Sequence, residues 1–209
     1  MKNINGVNTE YMKLPLVEEF STIQGEGFHA GMAAWFIRLA GCDVGCSWCD
    51  SRFTWNQADH PMVNTDVITD HAIASGMKSA VITGGEPLIW NLDYLCSVLR
   101  KNGVATFLET SGAYPLSGEW DWICLSPKRN KPPMEEICRR ADELKVVIKN
   151  SSDFEWAEEY RKKVKNTAHL FLQPEWNSFG EIIPHIVGYV KLNPEWRISL
   201  QLHKYMHIP

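Results

Sequence analysis

Three cysteines, Cys42, Cys46 and Cys49, fall within eight residues at C-x3-C-x2-C spacing. Thiolates this close along a chain converge on one point, which is what a metal centre requires. Their number is informative. A closed structural site takes four protein ligands, whereas three thiolates on a 4Fe–4S cluster leave the fourth iron open to another molecule. That is the composition of a reaction centre rather than of a fold staple. A zinc site stays open as the alternative, with His29 or His60 as fourth ligand. A disulfide framework has less in its favour, because nothing in the chain points to export.

The spacing resembles the cluster signature of the radical S-adenosylmethionine (SAM) enzymes. The resemblance implies that the open iron is chelated by the amino and carboxylate groups of SAM. An electron from the cluster then cleaves the sulfonium to methionine and a 5′-deoxyadenosyl radical. Further motifs narrow it: Ile23-Gln24-Gly25-Glu26-Gly27, Phe36-Ile37-Arg38-Leu39-Ala40-Gly41-Cys42, Cys49-Asp50-Ser51, Thr83-Gly84-Gly85-Glu86-Pro87, Glu109-Thr110-Ser111-Gly112, Ser126-Pro127-Lys128, Leu172-Gln173-Pro174 and Gln201-Leu202-His203-Lys204. Each is weak alone. In this order, from about Leu16 to the last residue, they are similar to the 7-carboxy-7-deazaguanine synthases of the queuosine and 7-deazapurine pathway.

The resemblance implies a single radical SAM domain over residues 1–209, an α/β fold of the partial (β/α)6 barrel type, and a homodimer. It implies a ring-contracting lyase that converts 6-carboxy-5,6,7,8-tetrahydropterin to 7-carboxy-7-deazaguanine and releases ammonia. SAM would be regenerated, Mg2+ would assist, and a flavodoxin- or ferredoxin-like donor would supply the electron. A radical SAM activating enzyme for a protein partner shares the cluster logic. It has no reason to carry Gln24 through Glu26, Arg38 and the Gln201-to-Lys204 motif together. A non-catalytic zinc or iron–sulfur module is the alternative from another class.

Within that resemblance the remaining residues take roles. Trp48, Cys49, Asp50 and Glu86 belong to the SAM side. Gly84 and Gly85 let the backbone approach the methionine part of SAM, and their carbonyls can accept from its ammonium group. Glu109 and Ser111, Ser126 with Pro127 and Lys128, and Gln173 offer acceptors and donors for ribose, carboxylate and adenine edges; each would serve equally well as an ordinary polar loop residue. Ile23, Gln24, Gly25, Glu26, Arg38, Thr83, His203 and Pro209 fall on the substrate side. Arg38 interrupts an apolar strand, so its charge needs a partner, either a substrate carboxylate in bidentate geometry or a buried glutamate such as Glu26. His203 reads either as a packed histidine or as a pocket residue. The α-carboxylate of Pro209 can reach the ligand face on the last seven residues, at most ~25 Å of extended chain, and could accept the paired N–H groups of a pterin. Where the family has Thr after Cys-Asp, this chain has Ser51; the hydroxyl survives as an oxygen ligand for Mg2+, with less rigidity about χ1.

Composition excludes several classes. The chain has 209 residues, 44% hydrophobic and 22% charged, an ordinary balance for one soluble domain. The net charge of −4 and the absence of a basic run argue against nucleic-acid binding. No apolar run approaches the ~18 residues of a membrane span, and residues 1–10 are polar without a signal-peptide core. A cytoplasmic enzyme is expected. Cys96, Cys124 and Cys138 lie in apolar segments and read as buried small hydrophobes.

These groups need a scaffold, and the chain supplies a rhythm. Extended segments are expected at 14–23, 33–40, 79–82, 104–108, 120–125, 145–148, 169–172 and 196–202. Helices are expected at 65–75, capped by Thr65 and stopped by Gly76, then at 91–102, 135–143, 153–163 and 182–192, the last kinked at Pro184. Residues 51–62 read as irregular loop. Alternation of this kind builds parallel βαβ units. Nearly every unusual polar or glycine motif follows the end of a strand, the face where α/β folds bind ligands. Gly112, Pro115 and Gly118 leave no room for a helix between two of the strands, so an incomplete, helix-poor barrel of about six strands is expected.

Overall fold

A computed structural model describes residues 13–209; the polar start expected at residues 1–10 lies outside the described residues. Strand β1 (Lys13–Ile23) turns through a glycine loop onto β2 (Ala33–Leu39). The turn uses left-handed backbone at Gly27 and Gly31, at φ 67° and 92°. β1 pairs antiparallel with β2 and with the short β3 (Met62–Asn64), whose first residue lies at the end of the stretch expected as loop. A purely parallel sheet is therefore corrected at this edge: a tight reversal can only return a strand antiparallel.

From β2 onward every pairing is parallel, through β4 (Ser79–Gly84), β5 (Ala105–Thr110), β6 (Trp122–Leu125), β7 (Glu143–Ile148), β8 (His169–Pro174) and β9 (Trp196–Ile198). The nine strands form one sheet in the order β3-β1-β2-β4-β5-β6-β7-β8-β9, with β3 and β9 at open edges. The fold is thus an open α/β sheet, an incomplete barrel as expected and not a closed one. The loop after β1 spans the gap: Gly27 N donates to Ser199 Oγ at 2.9 Å, and Leu202 N donates to Gly25 O at 2.9 Å.

Helices α1 (Thr65–Ala74), α2 (Asp93–Lys101), α3 (Glu135–Arg140), α4 (Ser152–Arg161) and α5 (Phe179–Leu192) link the strands, and residues 111–121 between β5 and β6 hold none, as expected. In α2 the spacing of Leu95, Cys96 and Leu99 makes one apolar face, buried to 1% exposure or less. Burial of each leucine is worth roughly 1.5–3 kcal/mol. The cap of α1 is Asn64, whose Oδ1 accepts from Asp66 N at 3.0 Å, rather than Thr65. Pro184 lies inside α5, which begins earlier than its apolar periodicity indicated. The last expected strand is corrected most: β9 ends at Ile198, and Leu202–Met206 forms a short helix, α6.

The strands sort their side chains by the period of two. On β7, Leu144, Val146 and Ile148 enter the buried core under the helices, while Lys145 and Val147 face inward to a cavity. On β2, Ile37 and Leu39 do the former, Phe36 and Arg38 the latter. The apolar repeat makes the fold, and the alternate positions are left for chemistry.

Candidate active site

Because β2 and its successors run parallel, their C-terminal ends open on one cavity of about 450 Å3. It collects every residue assigned above to the 4Fe–4S cluster, SAM, Mg2+ or substrate except Pro127, which is buried beside it and forms none of its lining.

The cysteine loop follows β2. Gly41, at φ 102°, turns the chain outward; Gly41 N and Cys42 N donate to Thr54 O and Trp55 O at 2.7 and 3.1 Å. Asn130 Nδ2 holds Gly45 O at 2.8 Å, and Lys131 Nζ and Tyr114 Oη both reach Asp43 Oδ2. Cys42, Cys46 and Cys49 are free, half-buried thiols along one wall. Burial pushes the Cys42 and Cys46 thiols up, with the Lys128 ammonium opposing it at Cys46. Such thiols are deprotonated when metal displaces their protons. Neither histidine of the zinc alternative lines this cavity. His29 packs against Phe107 and Trp122, with ring centroids 4.6 and 4.5 Å away, and His60 Nε2 is hydrogen-bonded to Phe53 O at 2.8 Å. Among the described residues no three His, Cys, Asp or Glu side chains close on a single ion.

The glycine loop after β4 is pressed against the cysteine loop. Gly85 N donates to Leu39 O at 2.9 Å and Glu86 N to Gly41 O at 2.8 Å. A Cβ on Gly84 would lie 2.0 Å from Leu39 O, so only glycine fits. Glu86, 2% exposed, anchors this loop to the next one: its carboxylate accepts from Leu88 N at 3.1 Å, Thr110 Oγ1 at 2.6 Å and Ser111 N at 2.8 Å. Glu86 and Ser111 thus bind one another while lining the cavity.

On the wall after β6, Lys128 Nζ donates to Ser126 Oγ at 2.5 Å and lies 5.0 Å from the Trp48 ring centroid, a cation–π contact. Burial holds this lysine below its usual range. Gln173, from β8, accepts from Ser199 Oγ at 2.8 Å.

The substrate candidates gather around the loop after β1. Gln24 Nε2 donates to Glu109 Oε1 at 3.1 Å. Arg38 Nε donates to Glu18 Oε1 at 2.7 Å, so its glutamate partner is Glu18 and not Glu26. Thr83 is the register neighbour of Arg38 across the sheet. Gly25 lies under His203, where a Cβ would meet Nδ1 at 2.3 Å. Burial pulls His203 down from the usual imidazole range. Thr22 Oγ1 donates to Pro209 O at 3.1 Å. Ser51 Oγ donates to Asp50 Oδ1 at 3.2 Å, and Lys204 Nζ lies 2.7 Å from Asp50 Oδ2. Burial opposes ionisation of Asp50, but Lys204 outweighs it and keeps the carboxyl below its usual range.

One central residue escaped the sequence reading. Lys145 is buried on β7 and ion-paired to Glu26 Oε2 at 2.7 Å and Glu109 Oε2 at 2.9 Å. The signal was present: like Arg38, Lys145 breaks an apolar strand, and such a charge needs partners. Gln201 was quoted only within its motif; its Nε2 donates to Glu26 Oε1 at 3.0 Å.

Known proteins share the sequence and the fold. A family model described as a 4Fe-4S single cluster domain matches residues 23–113. The chain is 55% identical to the 7-carboxy-7-deazaguanine synthase of Flavobacterium psychrophilum over 94% of this chain and 93% of that one. It is 45% identical to the synthase of the same name from Synechocystis sp., over 93% of each chain. The crystal structure of QueE from Escherichia coli superposes with a TM-score of 0.79 at 28% identity, covering 93% of this chain and 96% of that chain. Identity on this scale, continuous over almost the whole of both chains and joined to the same fold, leaves one assignment: the chain belongs to the 7-carboxy-7-deazaguanine synthase family.

Proposed function

We propose that the chain is a radical SAM lyase that contracts 6-carboxy-5,6,7,8-tetrahydropterin to 7-carboxy-7-deazaguanine with release of ammonia, in 7-deazapurine (queuosine) biosynthesis. The observation that carries this reading is one cavity in which three free thiols, a glycine-backbone cradle and a buried carboxylate–lysine floor meet. Cys42, Cys46 and Cys49 would hold a 4Fe–4S cluster, which together with SAM supplies the 5′-deoxyadenosyl radical that takes hydrogen from the substrate.

The protein's own groups bind and orient. Gly84 and Gly85 offer backbone to the methionine part of SAM, and Lys128, the cation beside Cys46, faces its anionic end. Trp48, Asp50, Glu86, Ser111, Ser126 and Gln173 complete that side, with Pro127 supporting it from behind, while Glu109, bonded to Gln24 and sharing Lys145 with Glu26, faces the substrate. Arg38 receives the pterin carboxylate, while Ile23, Gln24, Gly25, Glu26, Thr83, His203 and Pro209 surround the ring. Ser51 is an oxygen ligand for Mg2+, beside the carboxylate of Asp50. The chain acts as one domain, as a homodimer in the cytoplasm, fed by a flavodoxin- or ferredoxin-like donor. All six cysteines are free thiols, the state a reducing compartment maintains. Among the described residues no helix is long and apolar enough to cross a membrane.

Anaerobic reconstitution followed by incubation with SAM, reductant and 6-carboxytetrahydropterin tests the reading. About four iron and four sulfide per chain and a deazapurine product are expected. One zinc per chain and no product would overturn it.

A further inference from the structure

Lys145 is the cavity residue whose presence the fold alone does not explain. Its side chain is 5% exposed, and burying an ammonium carries a desolvation cost that an apolar residue on β7 would not incur. The cost is offset by two carboxylates, Glu26 at 2.7 Å and Glu109 at 2.9 Å. Their other oxygens are also occupied: Gln201 Nε2 donates to Glu26 Oε1 at 3.0 Å, and Gln24 Nε2 to Glu109 Oε1 at 3.1 Å. Two carboxylates from different elements are thereby set side by side on the cavity floor.

We infer that Lys145 is a positioning and specificity-determining residue: it holds Glu26 and Glu109 as a pair of anionic acceptors for the ring N–H groups of a reduced pterin, and so selects the reduced ring over the oxidised one. The inference rests on the pterin reading given above. Each carboxylate oxygen has about two lone-pair sites, so the partners named leave acceptor capacity at every oxygen. One ammonium facing two carboxylates leaves an excess negative charge, which attracts donors and repels lone pairs. A tetrahydropterin carries N–H at both N5 and N8, where an aromatic pterin presents bare lone pairs. A site built to receive an N–H rejects an analogue lacking it, because its buried acceptors are then left unpaired.

Burial works against the charge of Lys145, but Cys124 and the carboxylates of Glu109, Glu26 and Glu143 outweigh it and hold the ammonium well above its ordinary range. Burial likewise opposes ionisation of Glu26, and Lys145 more than offsets it. Without the ammonium, two close carboxylates would repel one another and one would take up a proton, turning an acceptor into a donor.

The test measures binding of 6-carboxytetrahydropterin and of aromatic 6-carboxypterin to the reconstituted, SAM-loaded protein under anaerobic conditions, by calorimetry. A charge-assisted hydrogen bond is worth about 1.5–3 kcal/mol, so the wild type should prefer the reduced ring by roughly tenfold or more. In Lys145→Met the preference should collapse to within about threefold of unity, with the cluster spectrum and SAM affinity unchanged. Lys145→Arg should restore part of it. An unaltered preference in Lys145→Met, or none in the wild type, overturns the inference. Should Lys145→Met fail to fold, Glu26→Gln and Glu109→Gln decide: each keeps the shape but replaces an acceptor oxygen with an N–H donor. The preference must fall in at least one, and full preference in both overturns the inference. Turnover with no effect of these variants refutes the role of Lys145 alone. No binding of either pterin and no product refute the pterin reading and this inference together.

Discussion

Replacing Gly85 with Ala should disable the cluster site through the backbone, without touching a ligand. A Cβ at Gly85 would stand 2.3 Å from Gly41 O and 2.9 Å from Cys42 Cβ. Carbon–oxygen contacts below about 3 Å are strongly repulsive, so the two loops must part by roughly 0.7 Å. The bonds Gly85 N to Leu39 O and Glu86 N to Gly41 O, now 2.9 and 2.8 Å, stand across the same junction. Stretched by that amount they reach about 3.5 Å, where little attraction remains. Two weakened buried backbone bonds cost about 2–4 kcal/mol together, which in a chain of this size lowers Tm by roughly 4–16 °C. Cys42 would move by several times the ~0.2 Å that metal sites tolerate, so iron retention should also fall. The assay pairs a melting curve of the metal-free protein with iron content after reconstitution. Gly188→Ala is the control: it lies within α5 with nothing inside 4 Å of its Cβ, and should stabilise by about 0.5–1 kcal/mol. A Gly85→Ala protein with wild-type Tm and full iron would refute the reasoning.

Cys42→Ala, Cys46→Ala or Cys49→Ala should abolish iron–sulfur absorption and SAM cleavage, whereas Ala at Cys96, Cys124 or Cys138, each 1% exposed or less, should preserve both; equal iron loss in all six would contradict the ligand assignment. Ser51→Ala should weaken the Mg2+ dependence of turnover and leave the cluster spectrum unchanged, with Ser51→Thr tolerated; an identical Mg2+ titration in Ser51→Ala would remove Ser51 from the metal. Glu143 gives a pH prediction. Burial pushes its carboxyl from 4.5 up to about 7, while its Oε2 accepts from Phe28 N and Trp122 Nε1 and its buried Oε1 has no protein partner. The folded state then keeps a proton that the unfolded chain releases, so stability is present below about pH 4.5 and is lost as pH rises through about 7. The loss is on the order of 3 kcal/mol. Glu143→Gln should flatten the dependence of Tm on pH and raise Tm at pH 8; pH–Tm curves parallel to the wild type would show that Glu143 does not titrate in this range.

Features set by local spacing were legible in the sequence. C-x3-C-x2-C brings three thiols together whatever the rest of the chain does, and all three line the cavity. Apolar runs broken by glycine and polar residues marked the strand ends, and parallel strands carry those ends to one face. The short span between β5 and β6 excluded a helix by length alone. Where the chain pairs with distant parts of itself, only the tertiary structure decided. Periodicity gives a strand no direction, so the antiparallel turn of β1 onto β2 and β3 was hidden. After Ile198 the chain forms α6 instead of extending β9, bonding Leu202 N to Gly25 O. Arg38 and Lys145 both announced a need for counter-charge. Which glutamate answers each depends on register and on which residues the closing loop lays across the sheet: Glu18 serves Arg38, while Glu26 and Glu109 serve Lys145. The sequence shows that a buried charge must be paired, because burial without a partner is too costly. The choice among partners of the same type is made by distances that exist only once the chain has folded.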